Sequence, residues 1–339
     1  MRIGLFCSGG DAPGMNACTR AIVRSALSKG HEVVGILRGY QGLLEERFYS
    51  PVDMQGTQPS EKASPPLFRM RDVSGWSNVG GAFLYSSRSE EFRQESGQKR
   101  AAAVLNKYHI DALIPIGGNG TCAGAMALSK YWNGQIIGCP GTIDNDLFGT
   151  DYTIGFSSAV GTAVEAVDKV RTTAESHQRM FLIEVMGRHS GYICLYTALA
   201  AGCEMVCIPE TLNDYPGLIA HLHELKERGK KSIMLVVAEG DEGGGVVGVK
   251  EALEKQGCPY PMRLVILGHL LRGGSPTPGD RILASRLGDY AVTSILSGET
   301  GAMAGEVAGQ LTLTSFEKAV TTAKPIPQSM LDLLETLSS

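Results

Sequence analysis

The chain has no long apolar run, no Cys-x-x-Cys pair, no tandem repeat and no block of like charge. Each absence removes a class of protein. Without an apolar stretch of about 20 residues there is no candidate membrane helix, so no membrane partner is expected. The opening MRIGLFCSGG reads as a strand and a glycine turn, with an apolar run too short for a signal peptide. A net charge of −4 argues against coating a polyanion, so nucleic acid is not expected as a partner; a local basic pocket is still allowed. Eight cysteines are scattered, mostly in apolar runs, and Cys203 and Cys207 have no histidine nearby. They read as buried thiols rather than a zinc site, and a reducing cytoplasm is the expected location.

What is abundant is glycine, 43 of 339 residues against a usual share of about 7%. With no collagen period and no Gly/Ser tract, these glycines belong in tight turns and in loops that face a ligand. At 339 residues and 43% apolar content, the chain suffices for two α/β lobes or one large domain with an inserted one. Short apolar runs at 3–7, 32–37, 112–116, 136–139, 180–185, 205–208, 232–238 and 263–267 predict strands. Amphipathic stretches at 16–28, 98–108, 159–174 and 215–228 predict helices among them. This alternation implies parallel, doubly wound sheets, which bind ligands at the carboxyl ends of their strands. Residues 55–80 are turn-rich and polar and predict a long surface loop; residues 240–245 predict a flexible glycine turn.

Four constellations fall at strand ends. Ser8-Gly9-Gly10-Asp11-Ala12-Pro13-Gly14-Met15-Asn16 follows the first strand and opens a helix, a place where free backbone N–H groups meet anions. It is neither a Walker motif nor GxGxxG. Gly117-Gly118-Asn119-Gly120-Thr121 is a second phosphate-cradle candidate. Gly118, Gly120 and Ala123 also satisfy a dinucleotide fingerprint, which leaves a dehydrogenase reading open, with Asp144 roughly in range for a ribose. Pro140-Gly141-Thr142-Ile143-Asp144-Asn145-Asp146 combines two carboxylates and a hydroxyl, a plausible base-plus-metal set for phosphoryl transfer; a cluster of Asx turns would look similar. Basic residues follow: Arg88, Arg179, Arg188, Arg263 and Arg272, whose guanidinium forks suit phosphate oxygens, and His269 beside Arg272.

Taken in order, GGDAPGMNA, PGTIDND with GTDYTIGF, SHQR, MGR, LGHxxRGGSP and DRILASR closely resemble the phosphofructokinase family over roughly residues 1–290. The resemblance implies two Rossmann-like lobes with mostly parallel, doubly wound sheets: a larger nucleotide lobe of 1–155 plus 270–320, and a smaller sugar-phosphate lobe of 156–269 with the tail 321–339. It implies a glycolytic kinase moving the γ-phosphoryl group of ATP to C1 of fructose 6-phosphate in a cleft, with Mg²⁺. Asp144 would be the base, with Thr142 beside it, and Arg188 would stabilise the transferring group. Gly10, Tyr40, Arg88, Ser89, Gly118, Asn119, Gly120 and Thr121 would line the ATP site. Thr142, Ile143, Asp144, Met186, Gly187, Arg188, Glu239, His269 and Arg272 would face the sugar phosphate. Arg179 and Arg263 would reach it from a neighbouring subunit, implying a homo-oligomer, usually a tetramer. An effector pocket would involve Arg20, Arg24, Arg171, Glu204 and Lys230.

The phosphoryl donor can be read separately. Family members using pyrophosphate carry an Asp and a Lys where this chain has Gly120 and Gly141, and small residues leave room for the rest of ATP. Three departures stand out. The family's metal-binding aspartate is Asn119 here, an amide that lacks the charge a hard cation prefers; Asp146 stays as the acidic group. This change opens a second reading, a non-catalytic or regulatory binding subunit. Retention of Asp144, Arg188 and the sugar-phosphate set favours an enzyme. The effector-contacting segment is unrecognisable near residues 53–58, which puts ordinary effector control in question. Ser89 replaces a larger residue beside Arg88.

Overall fold

The computed structural model describes residues 1–50 and 64–338. In chain order the elements begin with β1 (Arg2–Ser8), α1 (Met15–Ser28), β2 (Glu32–Gly35), α2 (Gly39–Leu44) and α3 (Glu95–Lys107). Next come β3 (Ala112–Gly117), α4 (Asn119–Leu128), β4 (Gln135–Thr142), β5 (Ile154–Gly155) and α5 (Phe156–His177). Then follow β6 (Met180–Val185), α6 (Tyr192–Ala201), β7 (Met205–Cys207), α7 (Tyr215–Glu227), β8 (Ile233–Ala238), α8 (Gly245–Lys255) and β9 (Met262–Ile266). The chain closes with α9 (Pro278–Leu296), β10 (Ala302–Val307), β11 (Gln310–Ser315), α10 (Phe316–Thr321) and α11 (Gln328–Ser338). It divides into two compact units. The first contains Met1–Thr142, Asp146–Ser157 and Arg272–Lys324; the second contains Ile143–Asn145, Ser158–Leu271 and Pro325–Ser339.

The first unit is built on a sheet ordered β11-β10-β4-β3-β1-β2, with β5 joined to β4. All its pairs are parallel except the β10–β11 hairpin. The central strands β1 and β3 are buried along nearly their whole length, which is why they read as unbroken apolar runs. Pro115 stands inside β3, where a ladder N–H is missing. The register accommodates it: Leu113 pairs with Ile136 and Ile116 with Cys139, while Ile114 and Pro115 have no partner on β4. This strand arrangement brings the loops after β1, β3 and β4 to one edge of the sheet.

Residues 51–63, and with them the first part of the expected 55–80 loop and the 53–58 effector segment, lie outside the described residues. Residues 64–80 depart from the expected surface loop. They are irregular, but Phe68, Val73 and Trp76 are buried. Phe68 stacks on Tyr49 with centroids 4.7 Å apart, and Trp76 meets both edge-on. Aromatic contacts of this kind add about 0.5–1.5 kcal/mol each beyond burial. Polar neighbours in the sequence hid these three anchors, whose partners are distant in the chain.

The second unit holds a four-stranded, all-parallel sheet ordered β7-β8-β6-β9. Its core joins Met180, Leu182, Ile233, Leu235 and Val237 to Leu222 and Leu225 of α7 and Val246, Val249 and Leu253 of α8. The cysteines of both units are unpaired thiols, and burial pushes Cys7, Cys122 and Cys203 up to about 12. No helix among the described residues is long and apolar enough to cross a membrane.

Candidate active site

In the first unit, two glycine loops lie side by side after β1 and β3. Thr121 Oγ1 donates to the Ser8 carbonyl at 3.1 Å and ties one loop to the other. The helices that open behind them, α1 and α4, have no side-chain cap. The starts of α2 and α3 also lack a side-chain cap, whereas others are taken up: Asp214 accepts from Gly217 N, Thr277 from Asp280 N and Ser315 from Lys318 N. Glu184 likewise accepts from Val246 N, and Glu210 from Gly191 N. What sets α1 and α4 apart is that each opens directly from a glycine loop at a strand end, so N–H groups and the positive end of a helix dipole face that loop.

Small residues shape this loop pair for different reasons. A Cβ at Gly120 would meet nothing within 4 Å, so that position borders open space. A Cβ at Gly141 would lie 2.9 Å from Met15 Cε and 3.3 Å from Gly117 N. Packing against Met15, Ile116 and Gly117 thus also favours a small residue at 141, whereas Gly120 is free of such contacts. A Cβ at Gly10 would overlap the guanidinium of Arg272. Arg272 lies across the first glycine loop, 3.9 Å from Asp11 Oδ1, in the first unit, whereas His269 belongs to the second.

Other residues expected on the nucleotide divide into wall and brace. Arg88 is exposed beside the first loop, because Ser86 Oγ donates to the Gly9 carbonyl and Gly9 N to Ser87 O. Ser89 bonds Gln41 Oε1 and caps a short turn at Phe92 N. Tyr40 is only 5% exposed, stacked on Phe92, with its hydroxyl donating to the Thr121 carbonyl at 2.8 Å. It supports the loop from behind rather than lining it. Asn16 is buried and grips the segment leading to Arg88, donating to Val79 O and Gly80 O and accepting from Phe83 N. Sequence reading assigned no role to Asn16, Ser86 or Ser87; only Asn16 lay within a recognisable motif.

The end of β4 adjoins the second loop, since a Cβ on Gly118 would lie 3.3 Å from Thr142 Cβ. Thr142 is half-buried and its carbonyl accepts from Thr153 Oγ1 at 2.6 Å. Asp146 Oδ2 accepts a 2.6 Å hydrogen bond from Asn119 Nδ2. Asn119 therefore turns its amide nitrogen to the carboxylate. Lys324 donates to the Asp151 carbonyl at 2.8 Å. Burial pushes its ammonium down to about 8, against the opposite pull of Asp151 and Asp146. Among the described residues, no group of three or more His, Cys, Asp or Glu is arranged to hold a metal by itself. A nucleotide-borne divalent ion needs only one or two protein oxygens, and Asp146 with the Asn119 amide oxygen fits that requirement.

In the second unit, Asp144 is buried and Asn145 adopts φ 53°. Ile143 is 2% exposed, so its side chain is core, and only its backbone is left to meet a substrate. Arg188 is exposed at the end of β6, and its φ of 54° costs about 1–3 kcal/mol for a non-glycine residue. Glu239, after β8, compensates by accepting from Arg188 N at 2.9 Å and Gly187 N at 3.3 Å. Met186 is buried just before this turn, and His269 is exposed after β9. Arg188, Glu239 and His269 thus share the carboxyl edge of one sheet. Arg179 and Arg263 do not join them. Arg179 precedes β6, and Arg263 pairs with Phe181, so both occupy the amino edge, about 20 Å away along a six-residue strand.

The residues assigned to an effector pocket also separate by unit. Arg20 and Arg24 stand one turn apart on α1 in the first. In the second, Arg171 Nη2 donates to Ala201 O and Gly202 O. Glu204 is buried, accepting from Met234 N at 2.7 Å and from Lys230 at 2.6 Å. DRILASR is structural in part: buried Asp280 accepts from Gly155 N at 2.9 Å, fixing β5 to the start of α9.

Comparison with known proteins agrees with this layout. The chain is 46% identical over 337 residues to ATP-dependent 6-phosphofructokinase 1 of Thermus thermophilus, covering 99% of both chains. It is 41% identical over 341 residues to the ATP-dependent 6-phosphofructokinase of Cytophaga hutchinsonii, covering 99% of this chain and 98% of that one. The solved phosphofructokinase of Saccharomyces cerevisiae superimposes with a TM-score of 0.82 at 32% identity, over 99% of this chain and 47% of that one. The pattern of the family described as Phosphofructokinase matches residues 2–295, and the chain belongs to the phosphofructokinase family.

Proposed function

We propose that this protein transfers the γ-phosphoryl group of ATP to the C1 hydroxyl of fructose 6-phosphate, giving fructose 1,6-bisphosphate and ADP. The observation that carries this reading is the course of β4. Thr142 adjoins the second glycine loop, and Asp144 follows two residues later, no more than about 7 Å along the chain. A carboxylate is thereby tethered next to a loop suited to phosphates.

Asp144 takes the proton from the C1 hydroxyl as its oxygen attacks phosphorus, and Arg188 offsets the charge on the equatorial oxygens. The uncapped starts of α1 and α4 bind the nucleotide phosphates, and the open space at Gly120 accommodates the remainder of ATP. Asp146 and the Asn119 amide oxygen would hold a Mg²⁺ brought by the nucleotide; that ion supplies charge neutralisation at the β- and γ-phosphates. His269 and Arg272 bind the 6-phosphate, with Met186 and Glu239 on the sugar.

The amino-edge position of Arg179 and Arg263 supports a shared site, in which these arginines serve the 6-phosphate of a neighbouring copy. We take a homotetramer in the cytoplasm as the working assembly. Arg20, Arg24, Arg171, Glu204 and Lys230 would form an effector pocket of this allosteric arrangement.

The test is to incubate the protein with Mg²⁺, fructose 6-phosphate and ATP labelled in the γ-phosphoryl group, then identify the labelled sugar. Label on C1 with one ADP formed per sugar is expected. Label appearing only as inorganic phosphate, or none transferred, would overturn the proposal.

A further inference from the structure

We propose that Ser190 is a positioning residue for the base: its hydroxyl clamps the main chain of Asp144 to the turn that carries Arg188. The inference rests on the proposed kinase reading, and it concerns a residue to which neither the motifs nor the family resemblance gave a task.

The geometry is contained within the second unit. Ser190 Oγ donates to the Asp144 carbonyl at 2.8 Å, and both residues are buried, so water does not compete for the bond. The same hydroxyl oxygen receives Tyr192 N at 3.4 Å, which leaves its single hydrogen for Asp144. The turn itself is closed on both sides. Ser190 N donates to Gly187 O at 2.9 Å, and Glu239 accepts from Gly187 N and Arg188 N. Gly187, at φ 145°, adopts a conformation open to glycine, and Gly240 packs against the Arg188 carbonyl so closely that no side chain fits there.

The consequence is a single hydrogen-bonded frame running Glu239, Arg188 turn, Ser190, Asp144. A base and a charge-stabilising arginine acting on one phosphoryl transfer must keep their spacing, and misplacement by about 1 Å can cost roughly 10²-fold in rate. The bond engages the main chain of Asp144, so it directs the carboxylate without occupying it.

The test uses full-length Ser190→Ala, which removes the hydroxyl, and Ser190→Thr, which keeps it. Rates are referred to folded protein counted by nucleotide titration. For Ser190→Ala we expect kcat to fall about 10- to 100-fold while both KM values stay within about twofold, with Ser190→Thr recovering most of the loss. Wild-type kcat in Ser190→Ala, or a folded Ser190→Thr as slow as the alanine variant, would overturn the clamp. Amide hydrogen exchange over Ile143–Asn145, measured without substrate, reads the clamp independently of turnover. Faster exchange in Ser190→Ala but not in Ser190→Thr supports it, and unchanged exchange contradicts it. Should wild type transfer no phosphoryl group while exchange responds as expected, the kinase reading fails and the clamp stands.

Discussion

Two aspartates two residues apart show two different kinds of hydrogen bond. Asp146, in the first unit, is held by its carboxylate, through the Asn119 amide. Asp144, in the second, is held by its main chain, through the Ser190 hydroxyl. A bond to the carboxylate orients a ligand atom and uses part of its accepting capacity. A bond to the carbonyl fixes where the side chain starts and uses none of it. The first suits a group that supports a cation from a fixed direction; the second suits a base that must accept a proton.

Removing the carboxylate charge at 144 should be the most severe change. Asp144→Asn keeps the Ser190 bond to the main chain but cannot accept the proton, so kcat should fall by roughly 10²- to 10⁴-fold with little change in KM for fructose 6-phosphate. A variant within a few-fold of wild type would remove Asp144 from the mechanism and erase the distinction between the two aspartates.

The next effect lies at the loop that supports Asn119. Gly120→Asp puts a carboxylate in the first turn of α4, which has no acidic residue, where it suits the helix dipole and leaves the fold intact. It should weaken use of ATP about tenfold or more through like-charge contact with the phosphates, and unchanged ATP kinetics would end the donor argument. Gly141→Ala should act differently, lowering stability by about 1–3 kcal/mol through contact with Met15 and Ile116. Chemical denaturation separates the two variants.

Lys324 offers a smaller effect in the Asp146 corner. Its folded pKa of about 8 lies below the ordinary 10.5, so between these values the unfolded chain binds more protons than the native one. Stability contributed at this position therefore rises with pH across that window, and the full cost of burying the charge applies below pH 8. Relative to Lys324→Met, wild type should gain stability between pH 8 and 10.5 in urea titrations without nucleotide or metal. A constant difference would show that the ammonium is well solvated.

These contrasts also mark what could be read from residues alone. The eight expected strands correspond to observed ones, because the central parallel strands such as β1, β3 and β8 are buried on both faces and read as continuous apolar runs; β9, with Arg263 and Ile266 exposed, was legible from its apolar run alone. The β10–β11 hairpin escaped notice: AMAGEV carries a strand glycine and no alternation, and the Leu/Thr alternation of QLTLTS spans only four residues. The glycine loops and PGTIDND were legible as ligand loops because they follow strands directly. Tyr40 was misjudged because an aromatic residue near a loop can face it or support it, and its stacking partner Phe92 is distant in sequence. The Ser190 clamp was invisible for the same reason, as 46 residues separate the hydroxyl from the carbonyl it holds.

The most direct test of the whole account is the rate of fructose 6-phosphate phosphorylation by wild type and Asn119→Asp, with ATP and Mg²⁺ and, separately, with pyrophosphate. The account predicts turnover with ATP in wild type, equalled or raised by the substitution, and none with pyrophosphate. Absence of turnover with either donor in wild type, recovered by Asn119→Asp, would contradict it and show that an amide at 119 does not serve in place of the acid.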